Sequence, residues 1–559
     1  MLPTLGVLAA TVSIAIVVLR PPAPRLTPSP TWAPAGTTVR GAYHIHSRRS
    51  DGAGTLDQIA AAAARAGLQF IIVTDHGDAT RAPDPATYRH GVLCVDAVEI
   101  NTTEGHYVAL GLPTAPYPLA GTAAAVIEDV RRLGGFGIVA HPDSPRPSLS
   151  WRAWEDPFDG LEWLNADSEW RDEVWRSLGR TVVTYWFRAP ATLASLLDRP
   201  TDVIARWDRL GERRRVPALA GADAHARLGF GQRTDPDTTG WYLPAPGYES
   251  SFRVFSNHVV LDRGLSGEAA RDAEALFSAV KRGRIFTVID GLARPGAFEF
   301  TATSGPNVAA IGDDLPLDGA ALLKIRAAAP QDATMALLRN GVVVRESRTA
   351  GMSVDVGQRQ GVYRVEVTIA GRPGQRPIPW LFSNPIYVGR DRTAADPGDV
   401  RPAAVRIPAA TREARTEASR GSTSEVEISS SDPPDLAWRF ALAPGSPAGQ
   451  FAAVQIPVQG GLSSFDRVRF QVSAERPMRV WFQVRTPNRA GERWGETFYA
   501  EQSTRAVGLS FGKLLPLGFT SSARAPLDRV DSLLFVVDTV NTLPGSSGTV
   551  RVSEVSLVR

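Results

Sequence analysis

The chain of 559 residues is longer than one hydrophobic core supports, and its 43% hydrophobic and 21% charged residues exclude a disordered or fibrous class. Positive and negative residues nearly balance (61 Lys+Arg against 58 Asp+Glu) and are mixed along the whole chain, which argues against a nucleic-acid surface. The single cysteine, Cys94, sits in the apolar run 91–96 and reads as a small buried residue, so any metal must be held by nitrogen and oxygen rather than thiolate.

In chain order, the first element is an uncharged apolar run, Leu2 to Leu19, just long enough to span a bilayer. Residues 1–19 read as an uncleaved membrane anchor or a signal segment, with a periplasmic, extracellular or membrane-anchored protein as the consequence. Arg20 and Arg25 both follow the run, which by the positive-inside rule would keep the body cytoplasmic, so the orientation stays open. Residues 20–37 are rich in Pro and read as an extended tether. From 38 to 294, apolar strand-like runs (Phe70 to Thr74, Phe136 to Ala140, Ala218 to Ala220) alternate with helix-like stretches (Thr55 to Ala66, Ala123 to Leu133, Ala191 to Leu197, Ala270 to Lys281). That alternation predicts an α/β domain with parallel strands, plausibly a barrel. Residues 295–390 switch to short alternating runs, with Asn340-Gly341 marking a hairpin turn, and read as a small all-β module. Residues 391–430 are polar and read as a linker with room for one strand. Residues 431–559 recover β character (Val468 to Val472, Arg479 to Val484, Leu533 to Val537, Val550 to Val555) and fit a β-sandwich.

Of the eight histidines, six lie in short strings with acidic or small neighbours, all in the α/β region: His44, His46, His76, His106, His141 and His225. His44-x-His46 at a strand end places two imidazoles on one face, since strand side chains alternate with period two. Asp51 follows in the turn Ser50-Asp-Gly52, and Asp75-His76 follows the run 70–74. Glu99 comes after Val95-Asp-Ala-Val98, His106 stands at the start of Tyr107-Val-Ala-Leu110, His141 ends the run 136–140, and Asp223-x-His225 repeats the period-two spacing. Any one of these is ordinary by itself. Together they fall where strands stop, which is where α/β barrels build active sites.

The strings Tyr43-His-Ile-His46, Ser50-Asp-Gly52, Thr74-Asp-His76, Val98-Glu-Ile100, Gly105-His106, Ala140-His-Pro142 and Gly221-Ala-Asp-Ala-His225 resemble, motif after motif, the PHP (polymerase and histidinol phosphatase) metallohydrolases. The resemblance implies a distorted (β/α)7 barrel holding two or three divalent ions (Zn, Mn or Fe). It implies His44, His46, Asp51, His76, Glu99, His106, His141, Asp223 and His225 as ligands, with Glu99 bridging two ions. Trp380-Leu-Phe-Ser-Asn-Pro-Ile-Tyr387 resembles the β extension of exported PHP proteins, some of which are similar to carbamate-ester hydrolases. Divalent ions in such a site activate water for hydrolysis, and a small phosphoester is the expected substrate, with a carboxylic or carbamic ester as the rival.

Further candidates surround this set. Asp75 suits a partner orienting His76 or a ligand water, or equally a helix cap. Arg48 and Arg227 suit pairing with a phosphate, or are solvated loop arginines. Trp163, Asn165, Glu169 and Trp170 line either a pocket or the core. Trp481, Trp494, Phe498 and Tyr499 would form an aromatic face for a glycan, the basis of a non-catalytic surface-protein reading, or fill the core of the sandwich.

Overall fold

The computed structural model describes residues 23–33, 36–171, 175–229, 242–243, 245–294, 296–370, 378–390, 404–446, 449–487 and 491–559. The apolar run 2–19 lies outside them. Among the described residues no helix is long and apolar enough to cross a membrane. The chain divides into two units.

Unit 1 comprises Met1–Gly77, Pro83–Pro113 and Val130–Thr393. The apolar runs form strands: β1 (Thr37–Tyr43), β2 (Phe70–Val73), β3 (Thr87–Arg89), β4 (Val92–Asp96), β5 (Val98–Thr102), β6 (Gly105–Leu110), β7 (Phe136–Ala140), β8 (Gly160–Asn165), β9 (Ala218–Gly221), β10 (Leu228–Gly229), β11 (Tyr242–Leu243), β12 (Ser256–Leu261) and β13 (Ile285–Val288). β2, β8 and β9 are buried along their whole length, which is why they read as unbroken apolar runs. One sheet runs β13-β12-β1-β2-β4-β3 and a second β5-β6-β7-β8-β9. Isolated parallel bridges, Ile45 to Ala224 and His76 to Glu99, tie β1 to β9 and β2 to β5 beyond the strand ends.

The structure corrects the expected barrel in two ways. Pairing is parallel along β1-β2-β4 and β7-β8-β9, but β5-β6-β7 and β1-β12 are antiparallel. The turn joining β5 to β6 is too short for a parallel crossover, so the hairpin is obligatory. Nor do helix and strand alternate throughout: helices lie between β1 and β2, β6 and β7, β8 and β9, and β12 and β13, whereas no helix intervenes between β2 and β6 or between β7 and β8. Among the described residues the strands form two bridged sheets rather than one continuous ring.

The helix Leu56–Ala66 follows its sequence signals. Thr55 and Gln58 form a capping box, Gly67 closes the end in the left-handed region, and Ile59, Ala60, Ala62 and Ala63 are buried. The helix Trp175–Ala194 extends well ahead of the expected 191–197 and breaks at Arg188, two residues before Pro190.

The sheet containing β13 continues across residue 294, since β13 pairs with Leu381–Ser383 and that strand with Gly361–Ile369. The Asn340-Gly341 turn joins Ala333–Arg339 to Val342–Ser347 with both residues at positive φ, as such a turn requires. Beneath this region Arg364, 1% exposed, pairs through Nε and Nη2 with both oxygens of Asp208 (2.9 and 3.0 Å) and lies 4.9 Å from the Phe382 ring centroid. Asp208→Ala removes the two-pronged partner of that buried guanidinium and leaves it Glu366 alone, and is expected to cost about 1–3 kcal/mol, read as a drop in the denaturant midpoint. An unchanged midpoint would show the pair to be unimportant.

Unit 2 comprises Asp78–Ala82, Thr114–Asp129 and Ala394–Arg559. Two six-stranded sheets enclose one core that includes Trp438, Phe470, Phe482, Trp494, Phe498 and Phe535. The four aromatics considered for a glycan face are all buried: Trp494 and Phe498 in this core, Trp481 and Tyr499 on the other side of their sheet. On that side Arg479 holds Asp129 (Nε to Oδ2, 2.7 Å) and the Ala125 carbonyl (2.9 Å). Part of the expected linker is ordered here. Arg415–Ala418 and Thr423–Ile428 are outer strands pairing Phe451–Pro457 and Leu436–Ala441. As outer strands they bury little, so their composition reads as polar loop.

Candidate metal centre

All nine residues expected as ligands gather at the ends of β1, β2, β7 and β9 and on the β5-β6 hairpin. Three of them, His44 (φ 65°), His141 (φ 30°) and Asp223 (φ 43°), lie in the left-handed region just past their strands. Such backbone costs about 1–3 kcal/mol per residue and persists where surrounding contacts impose it, as at functional sites.

Glu99 is the hub. Its Oε1 faces His106 Nδ1 at 2.7 Å and His141 Nε2 at 2.9 Å, while Oε2 faces His44 Nε2 and His46 Nε2, each at 3.2 Å, and His76 Nδ1 at 3.4 Å. Asp223 Oδ1 lies 3.5 Å from His44 Nε2 and 3.4 Å from His46 Nε2. Asp51 reaches His225 Nε2 at 3.2 Å, His46 Nδ1 at 3.4 Å and His76 Nε2 at 4.0 Å. The His46 and His225 rings stack at 4.2 Å. Donor atoms converge in four overlapping groups: His44, Glu99 and His141; His44, His46 and Asp223; His46, His76 and Glu99; His46, Asp51 and His225.

The spacings around Glu99 Oε2 and Asp223 leave room for a cation, whereas the two at Glu99 Oε1 are of hydrogen-bond length. Donors about 2.0–2.2 Å from one ion lie about 3.3–3.6 Å apart at a tetrahedral centre. The four contacts among His44, His46, Glu99 and Asp223 run from 3.2 to 3.5 Å. Neutral N–H···O bonds run about 2.7–3.2 Å, so the two contacts to Glu99 suit either arrangement and the two to Asp223 suit a cation better. The nitrogen and carboxylate donors suit Zn, Mn or Fe alike.

The electrostatics agree. Burial opposes charge on these acids, yet the surrounding imidazoles hold Glu99 and Asp223 well below the usual carboxylate range. Burial lowers His141, but the hydrogen bond and charge of Glu99 raise it to about 9. Burial likewise lowers His225, and Asp51 with Asp223 raises it to about 10. Exposure is graded across the site. His44, His46 and Glu99 are sealed at 0–1%, whereas the side chains of His76, Asp51 and His225 are 31%, 25% and 20% exposed and form the open rim.

The remaining candidates have definite places. Asp75 precedes no helix, so it is not a cap. It accepts from Ser47 N (2.7 Å), Ser47 Oγ (2.6 Å) and Ser50 Oγ (2.7 Å), and Ser50 Oγ lies 3.3 Å from His46 Nδ1. It thus reaches His46, rather than His76, through Ser50. Arg48 is exposed and its Nε donates to the Ala53 carbonyl at 2.7 Å. Arg227 is half-buried, just beyond Ala226 in the left-handed region (φ 48°). Trp163 is a core residue, its ring stacked 4.1 Å from Phe382 and its Nε1 donating to Thr287. Glu169 accepts from the Asp198 amide, and Trp170 is half-buried.

Two residues escaped the sequence reading. Glu162, fully buried on β8, has Oε1 2.6 Å from His44 Nδ1, and its Oε2 accepts from the His141 amide at 2.7 Å and from Asn165 Nδ2 at 2.8 Å. An acid inside the apolar run Gly160-Leu-Glu-Trp-Leu-Asn165 was the signal available. Arg171, paired with Asp167, is the other. Burial opposes its charge, but Asp167, Asp223 and Asp51 hold it above the usual guanidinium value.

No family model matches the chain, and no curated protein matches it. Among solved structures it is similar to a two-domain protein from Bacteroides vulgatus containing a predicted PHP-like metal-dependent phosphoesterase. The identity is 14% over 65% of this chain and 99% of that one, with a TM-score of 0.29. It is also similar to the family 11 carbohydrate-binding module of the Clostridium thermocellum cellulosomal cellulase Lic26A-Cel5E, at 15% identity over 26% of this chain and 86% of that one, with a TM-score of 0.22. Likenesses this distant do not decide the chemistry.

Proposed function

We propose that the chain is a metal-dependent hydrolase on a PHP-type α/β fold, acting on a small phosphoester. The observation that carries this reading is Glu99, whose two oxygens face five imidazole nitrogens within 3.4 Å, with Asp223 and Asp51 completing the donor set. Divalent ions bound there would supply Lewis acidity and lower the pKa of water towards neutrality.

The residues define the rest. Glu99, shared between the His106–His141 side and the His44–His46–His76 side, would hold more than one divalent ion, with Asp51 and His225 as further donors. The open rim of His76, Asp51 and His225 is where an ester would enter, because the opposite side is sealed. The charges of Asp223 and Asp51 act on Arg171, and a guanidinium there favours a phosphoester over a neutral carboxylic or carbamic ester. Asp75 steadies the 47–50 turn, and with it His46, through Ser47 and Ser50. The uncharged run 2–19 supports export or anchoring of the enzyme.

Metal analysis of the purified protein, coupled to phosphomonoester, phosphodiester and aryl carboxyl-ester substrates, tests this reading. We expect at least two ions per chain and hydrolysis of a phosphoester that His141→Ala abolishes. A protein without stoichiometric metal, or a His141→Ala variant with full activity, would refute it. Turnover of the carboxyl ester alone would move the substrate class while keeping the site.

A further inference from the structure

Glu162 touches no cation-facing atom, yet its surroundings permit only one hydrogen-bonding pattern. Asn165 Oδ1 accepts from the Ser168 amide at 3.0 Å, so its Nδ2 is the atom facing Glu162 Oε2. The other partner of Oε2 is the main-chain N–H of His141. Both are donors, and that oxygen must accept. The remaining oxygen, Oε1, meets His44 Nδ1 at 2.6 Å, and a carboxylate can only accept there as well. Nδ1 therefore carries a proton.

We infer that Glu162 is a positioning residue that locks the His44 imidazole as its Nδ1–H form, leaving Nε2 as the lone-pair nitrogen aimed at Glu99 Oε2 and Asp223 Oδ1; this rests on the metal-site reading above. A carboxylate behind a ligating histidine settles which nitrogen is offered to a cation. Gly221 makes the arrangement possible. A Cβ at that position would stand 2.5 Å from Glu162 Cδ and Oε1, so the carboxylate reaches His44 only because residue 221 has no side chain. Gly221 opens the string Gly221-Ala-Asp-Ala-His225 that also supplies Asp223 and His225, so one short segment makes room for the buried acid and provides one buried donor and one rim donor.

Glu162→Gln tests this with almost no change of shape. Glutamine has one acceptor oxygen and one NH2 group. The NH2 cannot occupy the Oε2 position, because two donors already point at it. It must face His44 Nδ1, which forces Nδ1 to accept and moves the imidazole proton to Nε2, where it blocks the cation. In zinc-loaded protein labelled with 15N-histidine, we expect wild type to show His44 protonated at Nδ1 and metal-bound at Nε2. E162Q should show an Nε2–H signal instead and a metal affinity lower by about 10- to 100-fold, in a protein that still folds by far-UV circular dichroism. Wild-type affinity in E162Q with His44 still protonated at Nδ1 would overturn the inference. If E162Q does not fold, Gly221→Ala, which keeps the carboxylate but displaces it from His44, should show the same loss, and wild-type metal affinity in that variant would equally overturn it. A wild-type protein that binds no metal defeats the metal-site reading instead, so the two failures are distinguishable.

Discussion

Replacing Glu99 with Gln is expected to strip the chain of most of its bound metal and to slow hydrolysis at least about 10³-fold, equivalent to about 4 kcal/mol of barrier. The size of the effect follows from how many groups share this carboxylate. His106 and His141 meet one oxygen, and His44, His46 and His76 the other, so no neighbour can substitute for it. Glutamine has the same volume but neither the charge nor two equivalent acceptors. One of its two atoms would present N–H groups to imidazole nitrogens that must offer lone pairs. Metal content per chain, measured on the same sample as turnover of the phosphoester panel, reads the outcome. Wild-type metal content in E99Q would dismiss Glu99 as the bridging group.

Metal-free protein is expected to lose stability as the pH rises from about 6.5 towards about 10, and the metal-loaded protein to resist that loss. The sign follows from the histidines. His141 and His225 titrate in the fold at about 9 and about 10, against an ordinary value of 6.5. Their contribution is complete below the unfolded value and vanishes as the pH passes through the folded ones. On the acid side the order reverses. Glu99 and Asp223 are held low in the fold, so their contribution is present above the ordinary carboxylate value and lost as the pH falls. The metal-free fold should therefore be most stable near pH 5–6.5. His141 alone corresponds to about 3 kcal/mol by the usual conversion, and because Glu99 and Asp223 are shared, the cluster as a whole amounts to a few kcal/mol. Cations compete with protons for the same nitrogens, so metal binding should tighten and release protons as the pH rises. Thermal midpoints in chelator at pH 5.5 and 9.5, with and without added Mn, measure both effects. A metal-free midpoint that is flat or rising across that interval would exclude protonated imidazoles as supports of the fold.

The histidine strings were legible because all but that of His106, which opens its strand, follow a short apolar run, and a buried strand leaves its next polar residue at the sheet edge. His44-Ile-His46 shows this most clearly: Ile45 is fully buried and bridges Ala224, while the histidines on either side turn towards Glu99. Strand direction was not legible across the whole domain. Apolar runs that predict strands do not encode whether the next strand pairs parallel or antiparallel, and the tight β5-β6 turn reversed the expectation there. Composition also misled where strands lie at sheet edges. Thr423–Ile428 alternates between exposed and half-buried positions and reads as polar linker, though it pairs along its full length.

The amino-acid sequence by itself determined the donor set and its chemistry: imidazoles and carboxylates at strand ends, without thiolates, suited to a divalent cation. Only the tertiary structure decided how those donors divide among one another and what stands behind them. Glu162 meets His44 across 118 positions of chain, and Glu99 meets His44 across 55. Separations of that length are set by sheet packing, since a strand's own periodicity governs only which face a residue takes. An acid in an apolar strand is therefore visible in the sequence as an oddity, but its role becomes apparent only when folding brings His44, the His141 amide and Asn165 to its two oxygens.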